Sequence, residues 1–461
     1  MTETIEMPLW LLLLILGFAI VAALDKVMLP SVRWFFRRRL ERAVARLNKQ
    51  LTRPIQPFKL MRRHDMMQRI IYDPEVGRAV QEHAHQHGIP EAVASETARK
   101  YAREIVPSFS AFAYFSFAIR FARILSNALF RVRLSYAEAE TLRDIPEDTT
   151  VVFVMNHRSN MDYVLVTYLA ADQSALSYAV GEWARVWPLS RLIRAMGAYF
   201  IRRKSRSDLY RKVLACYVRH ATEAGVTQAI FPEGGLSLTG GMGPPKLGLL
   251  KYMIDAAQES GQDVVFVPVA INYDRVLEDT ILTAAASRNE RRFRARIGVV
   301  FFWIVKQIWQ RVLGRYRPFG YAAVNFGEPV SLRNFEAAHQ RDLAIPVGRE
   351  LSRRIGSLVP VLPVPLAAWL LQKHGEMTRE AVVAEFRRIF PTSYGKQPVL
   401  PDDELEPAAE AALQQLVDRR MLKREGDLYC VSGDRTDLLA FYARSIAHRL
   451  EPSEPNHACA E

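Results

Sequence analysis

The sequence predicts an α/β fold with a mostly parallel sheet flanked by helices. This sheet lies between a helical N-terminal region and a C-terminal region that is helical and winged-helix-like, and one N-terminal transmembrane helix precedes them. From Thr149 onward, short β-branched runs alternate with longer amphipathic stretches, which is the pattern of alternating strands and helices. The runs are TTVVFVM, ALSYAVG, GAYFI, TQAIFP, DVVFVPVAI and YAAVNFG. Because proline cannot donate a ladder hydrogen bond, Pro268 in the fifth run predicts an edge or bulge position.

The N-terminus predicts a membrane anchor over residues 7–29. The run MPLWLLLLILGFAIVAAL has no charged residue and, with its continuation, is about as long as one bilayer crossing. Glu3 and Glu6 precede it without a lysine, unlike the start of a cleaved signal peptide. A buried core helix is the alternative, and it is weaker because the run has no polar face. The arginines that follow place the rest of the chain in the cytoplasm by the positive-inside rule. They are Arg33, Arg37, Arg38, Arg39, Arg42 and Arg46.

Length and composition narrow the class of function. The 461 residues are 49% hydrophobic, enough for two or three domains with sizeable cores. Lys and Arg number 62 against 49 for Asp and Glu, and the net charge of +13 favours an anionic partner. Nucleic acid, acidic lipid headgroups and phosphorylated substrates all qualify. The three cysteines, Cys216, Cys430 and Cys459, are too scattered for a zinc site or a disulfide framework, and they indicate a reducing compartment.

These patterns predict four segments: the anchor at 7–29, a helical region at 31–135, an α/β domain at 136–335 and a C-terminal helical region at 336–450. In the last segment a helix precedes two short β-like runs around Glu425-Gly426-Asp427, a winged-helix-like pattern that often binds DNA. Acidic side chains on that helix argue against a surface that tracks phosphates. They are Glu406, Glu410 and Asp418, beside Arg419 and Arg420.

A histidine and an acid follow the first predicted strand, and their spacing indicates a general base. Residues five apart point about 140° from one another on a regular helix, so His157 and Asp162 cannot meet within one helix. They can meet if the strand ends near Met155 and a helix begins at 160 or 161, capped by Ser159 or Asn160. A carboxylate on one imidazole nitrogen leaves the other as a proton acceptor. A polar turn without chemistry is the alternative.

Two further strand ends carry residues suited to an anionic substrate. GAYFI is followed by Arg202 and Arg203, whose guanidiniums suit a phosphate. IFP is followed by Glu233 and then by Gly234 and Gly235, where exposed main-chain N–H groups can hold an anionic oxygen. Active residues of parallel sheets lie where strands end. We therefore expect these side chains to gather around the histidine.

A basic and aromatic stretch, residues 291–321, is a second candidate for membrane contact. Its arginines bracket Phe301, Phe302 and Trp303, a composition typical of a helix lying on an anionic lipid surface. A helix buried against the core with a charged rim explains the pattern equally well. Lys306 interrupts the apolar run and argues against a second membrane crossing.

Four stretches, taken together and in order, resemble the glycerolipid acyltransferase superfamily. That superfamily has a His-x-x-x-x-Asp block, a Gly-x-x-Phe-Ile-Arg block, a Phe-Pro-Glu-Gly block and a proline block. The corresponding stretches here are, in the same order, HRSNMDY, GAYFIRR, FPEGG and VVFVPVAI. Four further stretches narrow the resemblance to the membrane-bound glycerol-3-phosphate acyltransferases. They are PPKLG, VNFGEPV, ARKYAREIVPSFS and LLAFYARSIAHRL. The similarity extends from about Ala98 to Leu450. Each motif is weak alone, and the combination is specific.

The resemblance implies the glycerolipid acyltransferase fold and a direct acyl transfer. His157 would remove the proton from the glycerol 1-hydroxyl as it attacks a fatty acyl thioester, and Asp162 would orient the imidazole. Acyl-CoA or acyl carrier protein would donate the chain to glycerol 3-phosphate beside membrane phospholipid, with no nucleic acid partner. No cofactor, metal or covalent serine intermediate is implied. The substrate-binding residues would be Arg202 and Arg203 at the phosphate, Glu233 and Gly234 at the acceptor site and Pro268 along the thioester, together with Gly235, Lys246 and Phe200.

The third block departs from the family pattern. EGGLSL has Leu236 and Leu238 where the family usually has arginines, so two guanidiniums of a phosphate clamp are missing. Lys246 and the Arg202–Arg203 pair can compensate. Glycerol 3-phosphate stays the favoured acceptor, and lysophosphatidate is the alternative. A catalytically silent membrane scaffold or nucleic-acid binder is the alternative from a different class.

Overall fold

The computed structural model of the chain describes residues 8–10, 16, 38–39, 41–135, 144–169, 174–181, 189–202, 207–288, 319–336, 342–393 and 400–451. The chain divides into two compact units, Met1–Ile55 and Gln56–Glu461. The anchor predicted over 7–29 falls almost wholly outside the described residues, as does most of the 291–321 stretch. The predicted boundaries at 135 and 335 lie inside the second unit, and they stay predictions.

Within the described part of the chain, no single helix has both the length and the apolar composition of a membrane span. The helices Ala344–Leu358 and Pro363–His374 meet that criterion only when they are taken together as a pair bent by 90°. In the first unit, residues 41–48 are helical.

An eight-stranded sheet forms the centre of the second unit, counted over its described residues. The strands are β1 (Arg131–Ser135), β2 (Thr150–Met155), β3 (Ser177–Gly181), β4 (Tyr199–Ile201), β5 (Gln228–Ile230), β6 (Val264–Tyr273), β7 (Tyr321–Phe326) and β8 (Val330–Ser331). Their order is β1-β7-β6-β2-β5-β3-β4, and β8 also pairs with β6. The pairings of β6 with β7 and with β8 are antiparallel and the others are parallel, which confirms the mostly parallel sheet.

All six predicted runs are strands, and the structure adds β1 and β8. Strands β2, β3, β5 and β6 are buried along their whole length, as expected where helices cover both faces of a parallel sheet. In register, residues 150–155 of β2 pair with residues 264–269 of β6. Because β2 to β5 run parallel, their carboxyl ends meet at one edge of the sheet.

Pro268 lies in an interior strand beside a bulge, so of the two predicted positions the edge is wrong and the bulge is the one observed. β6 pairs with β2 on one side and with β8 and then β7 on the other. Three residues, 327–329, connect β7 to β8, and they lie opposite only two residues of β6, 267–268. The segment that connects β7 to β8 therefore bulges, and β6 does not. The N–H of Gly327 donates to the Pro268 carbonyl at 2.8 Å. A strand residue directs its N–H and C=O to the same side of the strand. The proline nitrogen, which has no N–H to donate, therefore faces this bulge.

Helices flank the sheet. Before β2 they are α1 (Pro57–Leu60), α2 (Arg63–Ile71), α3 (Pro74–His87), α4 (Glu91–Ile105), a π-helical turn (Ala113–Ala118) and α5 (Ile119–Leu129). After β2 they are α6 (Met161–Leu169), α7 (Leu189–Ala195), α8 (Asp208–Glu223), α9 (Gly248–Ser260), α10 (Asp279–Ser287), α11 (Leu332–Glu336) and α12 (Ala344–Leu358). The prediction of helix up to residue 135 is wrong at its end. There β1 pairs in parallel with β7, and its RVRLS sequence alternates charged and apolar residues as a strand does.

The C-terminal region has the element order of a winged helix, as predicted. It comprises α13 (Pro363–His374), β9 (Glu376–Thr378), α14 (Arg379–Ser393), α15 (Asp402–Asp418), β10 (Leu422–Glu425), β11 (Leu428–Val431), a short 3-10 turn (Gly433–Arg435) and α16 (Thr436–Leu450). The three strands form one antiparallel sheet in the order β10-β11-β9. The hairpin turns at Gly426, whose φ of 65° favours glycine. Helix α16 packs along α13.

Candidate active site

The candidate site begins at the carboxyl end of β2. As predicted, β2 ends at Met155 and α6 begins at Met161, so His157 lies in the loop and Asp162 in the first helical turn. The Oγ of Ser159 caps α6 by accepting the Met161 N–H at 3.1 Å. Nδ1 of His157 lies 2.9 Å from Oδ2 of Asp162, and the two side chains are 1% and 0% exposed.

Asp162 fixes which imidazole nitrogen carries the proton. Its Oδ2 also accepts the N–H groups of Arg158 and Ser159 at 2.7 and 3.1 Å, and its Oδ1 accepts the hydroxyl of Tyr273 at 2.7 Å. A carboxylate that only accepts requires a proton on Nδ1, which leaves Nε2 of His157 as the acceptor. Burial, followed by the Asp162 charge, raises the pKa of Tyr273 well above its usual value, so this hydroxyl keeps donating.

The loop between β2 and α6 is held from β6 and from the segment after it. The Asn156 side chain donates to the Ile271 carbonyl at 2.9 Å and accepts the Ile271 N–H at 2.8 Å, which continues the β2–β6 ladder. Glu278 accepts the Ser159 hydroxyl at 2.8 Å and the main-chain and side-chain N–H groups of Asn160 at 3.3 and 3.0 Å. Burial raises the pKa of Glu278. Sequence reasoning missed both contacts because the partners lie 115 and 119 positions apart.

Glu233 joins this loop to the loop that follows β5. Its Oε1 accepts the His157 N–H at 3.0 Å, and its Oε2 accepts the Gly243 N–H at 3.0 Å. Burial raises the pKa of Glu233, against the effects of these two bonds and of the Arg158 charge. As placed, the carboxylate shapes the site by holding main-chain groups. Its contact with a substrate stays a prediction.

Gly234, Gly235 and Lys246 lie in the same loop. Gly234 has a φ of 65°, and a Cβ at this position would lie 2.8 Å from Cδ of Lys246. The Lys246 N–H donates to the Pro232 carbonyl at 2.7 Å, which brings the two ends of the loop together. The lysine stem therefore passes close to Gly234, and the positive φ favours glycine at this position. Gly235 continues the turn and is half-buried.

Arg202 follows β4 at the same sheet edge, but β4 lies three strands from β2, roughly 14 Å at about 4.8 Å per step. Its guanidinium donates to both carboxylate oxygens of Glu104 at 2.7 Å and lies over the rings of Tyr101 and Tyr210. The bonds to Glu104 raise the pKa of Arg202. In this conformation Glu104 occupies Nε and Nη2 of Arg202 and would compete with a phosphate for them. Arg203 lies outside the described residues.

Phe200 and Pro268 are both buried beneath the site. Phe200 has no exposed surface in β4, and the Arg194 guanidinium lies 5.0 Å from its ring centroid. Pro268 is buried in β6 and packs near Gly327. As placed, both side chains belong to the core and neither is open to a substrate. The contacts predicted between these two side chains and a substrate stay predictions.

Arg158 is a site residue that the motif alone did not single out. Its side chain is buried, bonds to the Gly240 carbonyl and lies over the Phe441 ring at 5.3 Å. Its Nε and Nη2 have no hydrogen-bond partner among the described residues. Burial lowers the pKa of Arg158, while Glu233 and Asp162 favour the charged form. Through Phe441, helix α16 of the winged region reaches the back of the catalytic loop.

Leu236 and Leu238 replace the arginines expected in the third block. Both side chains are partly buried and pack against the hydrophobic core. These two positions therefore stabilise the loop after Glu233 by apolar contact, in place of the charge that the family pattern has there.

One group of described residues combines ligand types suited to a metal ion, and it lies at the start of α3 and within α8. Asp73, Cys216 and His220 bring one ligand atom each within 4.8 Å of the others. The Arg219 guanidinium donates to Oδ2 of Asp73 at 2.6 Å, and Oδ1 accepts the Glu75 N–H at 2.9 Å as the cap of α3. Both carboxylate oxygens of Asp73 thus already have donors.

Residues 137–272 match the family described as Acyltransferase. A protein of Aeromonas hydrophila named glycerol-3-phosphate acyltransferase is 26% identical over 418 residues, which are 85% of this chain and 50% of that protein. A Shewanella protein (strain ANA-3) of the same name is 32% identical over 298 residues, 63% of this chain and 35% of that protein. These matches confirm the family resemblance drawn from the motifs. The chain spans half or less of the length of these curated relatives.

A solved structure is also similar, that of the 1-acyl-sn-glycerophosphate (LPA) acyltransferase from Thermotoga maritima. It shares 20% sequence identity, covers 52% of this chain and 78% of its own, and superposes with a TM-score of 0.32.

Proposed function

We propose that this chain, which carries an acyltransferase-family domain at residues 137–272, moves a fatty acyl group from acyl-CoA or acyl carrier protein to the sn-1 hydroxyl of glycerol 3-phosphate. The observation that carries the proposal is the buried pair of His157 and Asp162, joined at 2.9 Å. The name that the relatives share supports the choice of acceptor.

The geometry supports a direct transfer with one general base. Nε2 of His157 takes the proton of the acceptor hydroxyl while its oxygen forms a bond to the thioester carbonyl carbon. The tetrahedral intermediate collapses, the carbon–sulfur bond breaks, and the imidazolium returns the proton to the leaving thiolate. Asp162 stabilises the imidazolium between these steps. Because the ring of His157 is 1% exposed and packs 4.2 Å from that of Phe231, the hydroxyl reaches Nε2 only when the covering groups shift.

Membrane attachment is part of the proposal. Residues 7–29 would form a single span, with the catalytic unit on the cytoplasmic side and phospholipid around it. The charge-free run and the arginines that follow it support this arrangement. A product with a long acyl chain partitions into lipid, so an enzyme held at the bilayer releases it where it accumulates.

Two alternatives carry different expectations. Acylation of lysophosphatidate is the first alternative, because the apolar Leu236 and Leu238 stand where the family pattern has phosphate-binding arginines. Nucleic-acid binding by the winged region is opposed by α15, the helix before the wing. Its sequence DDELEPAAEAALQQLVD has six acidic residues and no lysine or arginine.

An acceptor panel tests the proposal. Membranes from cells that express the chain are incubated with a labelled long-chain thioester and either glycerol 3-phosphate or lysophosphatidate, and membranes without the chain serve as the control. We expect 1-acylglycerol 3-phosphate to form faster than phosphatidate does from the lyso-lipid. Faster acylation of lysophosphatidate would overturn the acceptor, and no labelled product above the control with either acceptor would overturn the activity.

A further inference from the structure

The helical stretch of residues 111–129, which includes the π-helical turn and α5, carries exposed apolar side chains along one side. Phe112, Phe117, Phe121 and Ile124 are 72%, 54%, 49% and 69% exposed. The other large hydrophobic side chains exposed in the described part of the second unit are scattered over different elements. Single exposed hydrophobic residues are ordinary on a protein surface, whereas a contiguous set marks an interaction site.

These side chains form one stripe. Phe117, Phe121 and Ile124 are spaced by four and three residues, so they share one helix face. The rings of Phe117 and Phe121 stack with centroids 6.0 Å apart and an angle of 9°. A different side of α5 is buried, with Ile119, Ala122 and Leu129 in the core. The helix is thus apolar on the face that packs and also on a face that no described element covers.

The charged residues of the segment that carries the stripe have one sign. From Val106 to Ser135 the sequence contains no aspartate or glutamate and four arginines. Arg120 and Arg123 are exposed on α5 itself, next to the stripe in sequence. Arginines that border exposed aromatic and aliphatic side chains are the arrangement of a helix lying in the headgroup region of an anionic bilayer. A protein partner of matching shape would not require this uniform sign.

The stripe is structurally connected to the candidate site. Helix α5 packs against α6, and α6 carries Asp162 in its first turn. The Arg123 guanidinium lies 5.4 Å from the ring centroid of Tyr168 near the other end of α6. A surface that binds α5 is therefore separated from the His157–Asp162 pair by one helix, α6.

We propose that α5 and the π-helical turn dock on an anionic phospholipid surface. The stripe of Phe112, Phe117, Phe121 and Ile124 enters the acyl boundary, and Arg120 and Arg123 lie at the lipid phosphates. This inference rests on the proposed function, because it adds the surface by which the acyltransferase would bind the membrane that holds its lipid product. It is separate from the N-terminal anchor, since it concerns a different segment of the chain.

Depth in the bilayer tests the proposal independently of activity. The full chain, with Cys430→Ser and Cys459→Ser, is reconstituted in vesicles of equal parts phosphatidylglycerol and phosphatidylcholine. Spin labels are attached after Phe117→Cys, Phe121→Cys or Ile124→Cys, and Cys216 is buried and does not react. The matched control positions are Tyr72→Cys and Val93→Cys, two exposed hydrophobic residues on other elements. Collisions with oxygen and with a water-soluble nickel chelate report the depth of each label.

We expect the ratio of oxygen to nickel collisions to be at least severalfold higher at the three stripe positions than at the two controls. Equal ratios at all five positions would overturn the proposal. Protection that persists in detergent, with dipolar broadening between labels, would overturn it in favour of a second copy of the chain.

A charge-reversal variant tests the assignment of Arg120 to the phosphates of anionic lipid. In the Phe121→Cys protein, Arg120→Glu should raise the nickel accessibility of the label, while Arg78→Glu, an exposed arginine on α3, should not. An unchanged depth after Arg120→Glu would overturn the assignment to anionic lipid. Acyl transfer by the unlabelled wild type in mixed micelles is measured separately. Its absence would refute the proposed function and leave the depth result standing.

Discussion

At the scale of single residues, Asp162 organises the candidate site. One carboxylate accepts the imidazole of His157, two main-chain N–H groups of the loop and the hydroxyl of Tyr273. The contact between His157 and Asp162 could be predicted because both residues lie within one strand–loop–helix segment. The contact with Tyr273 could not, because only the pairing of β2 with β6 brings residue 273 near residue 162.

The Tyr273 hydroxyl should contribute to both stability and rate. Tyr273→Phe removes a donor to a buried carboxylate, and we expect a loss of about 1.5–3 kcal/mol in the free energy of unfolding, with a lower kcat. Tyr199→Phe is the matched control, since the buried Tyr199 hydroxyl has no hydrogen-bond partner within the described residues. Denaturant titrations and initial rates measure both. Equal effects of the two substitutions would contradict the role given to Tyr273.

The ion pair of Arg202 with Glu104 should compete with substrate phosphate. If Arg202 binds the phosphate, Glu104→Gln weakens the competing pair, and we expect the KM for glycerol 3-phosphate to fall about 3- to 10-fold, equivalent to ~1 kcal/mol. Glu96→Gln is the control, because Glu96 pairs with Arg99 and Arg103 on the exposed side of α4. Steady-state kinetics decide. An unchanged KM would mean that Arg202 is structural and that the phosphate binds elsewhere.

At the scale of elements, the strands could be predicted because β-branched runs bounded by turn residues are a local signal. The structure corrects two of the local interpretations. Pro268 is tolerated in an interior strand because the segment between β7 and β8 bulges opposite it. The helical prediction extends too far at residues 131–135, whose charged and apolar residues alternate as in a strand and which pair with β7. The contact of α16 with the catalytic loop was also beyond local patterns, since Arg158 and Phe441 meet only in the folded chain.

Helix α16 packs so closely on the loop after β5 that one methyl group added at Gly240 should disturb the contact. A Cβ on Gly240, whose φ is 90°, would lie 1.8 Å from the Phe441 carbonyl oxygen. We expect Gly240→Ala to lower the free energy of unfolding by about 3 kcal/mol or more and to reduce activity, because the carbonyl of Gly240 also holds Arg158.

Gly241→Ala is the control for this variant. At Gly241 the nearest atoms to an added Cβ are 3.9 Å away, which is ordinary contact. Thermal or denaturant unfolding of the two proteins gives the comparison. If Gly240→Ala is as stable and as active as Gly241→Ala, the close docking of α16 on this loop is wrong.

At the scale of the whole molecule, the sheet and the C-terminal region are joined by buried polar contacts. Asp274, just after β6, accepts the N–H of Tyr321 in β7 at 2.7 Å and the N–H of Val364 in α13 at 2.8 Å. The Asn272 side chain donates to the Pro360 carbonyl at 2.8 Å. The order of segments could be predicted from composition. This attachment could not, because polar residues inside an apolar strand pattern do not identify their partners.

Asp274 should give stability a particular dependence on pH. Burial raises its pKa from 3.8 to about 7 in the folded protein, so between these values the folded state binds a proton that the unfolded state lacks. Stability from this group is therefore highest at low pH, falls by at most about 1.4 kcal/mol per pH unit as pH rises towards 7, and is then constant. We expect Asp274→Asn to flatten this slope in unfolding curves at pH 5 to 8. The exposed Asp434→Asn should leave it unchanged, and an unaltered slope in Asp274→Asn would refute the assignment.

The most direct measurement of the central claim is the rate of glycerol 3-phosphate acylation by His157→Ala, compared with wild type and with the exposed control His374→Ala at equal amounts of folded protein. Loss of a general base should lower the rate by about 10²- to 10⁴-fold while the unfolding midpoint stays near that of the wild type. A rate within a few-fold of wild type would contradict the claim that the buried imidazole, held by Asp162, takes the proton of the attacking hydroxyl.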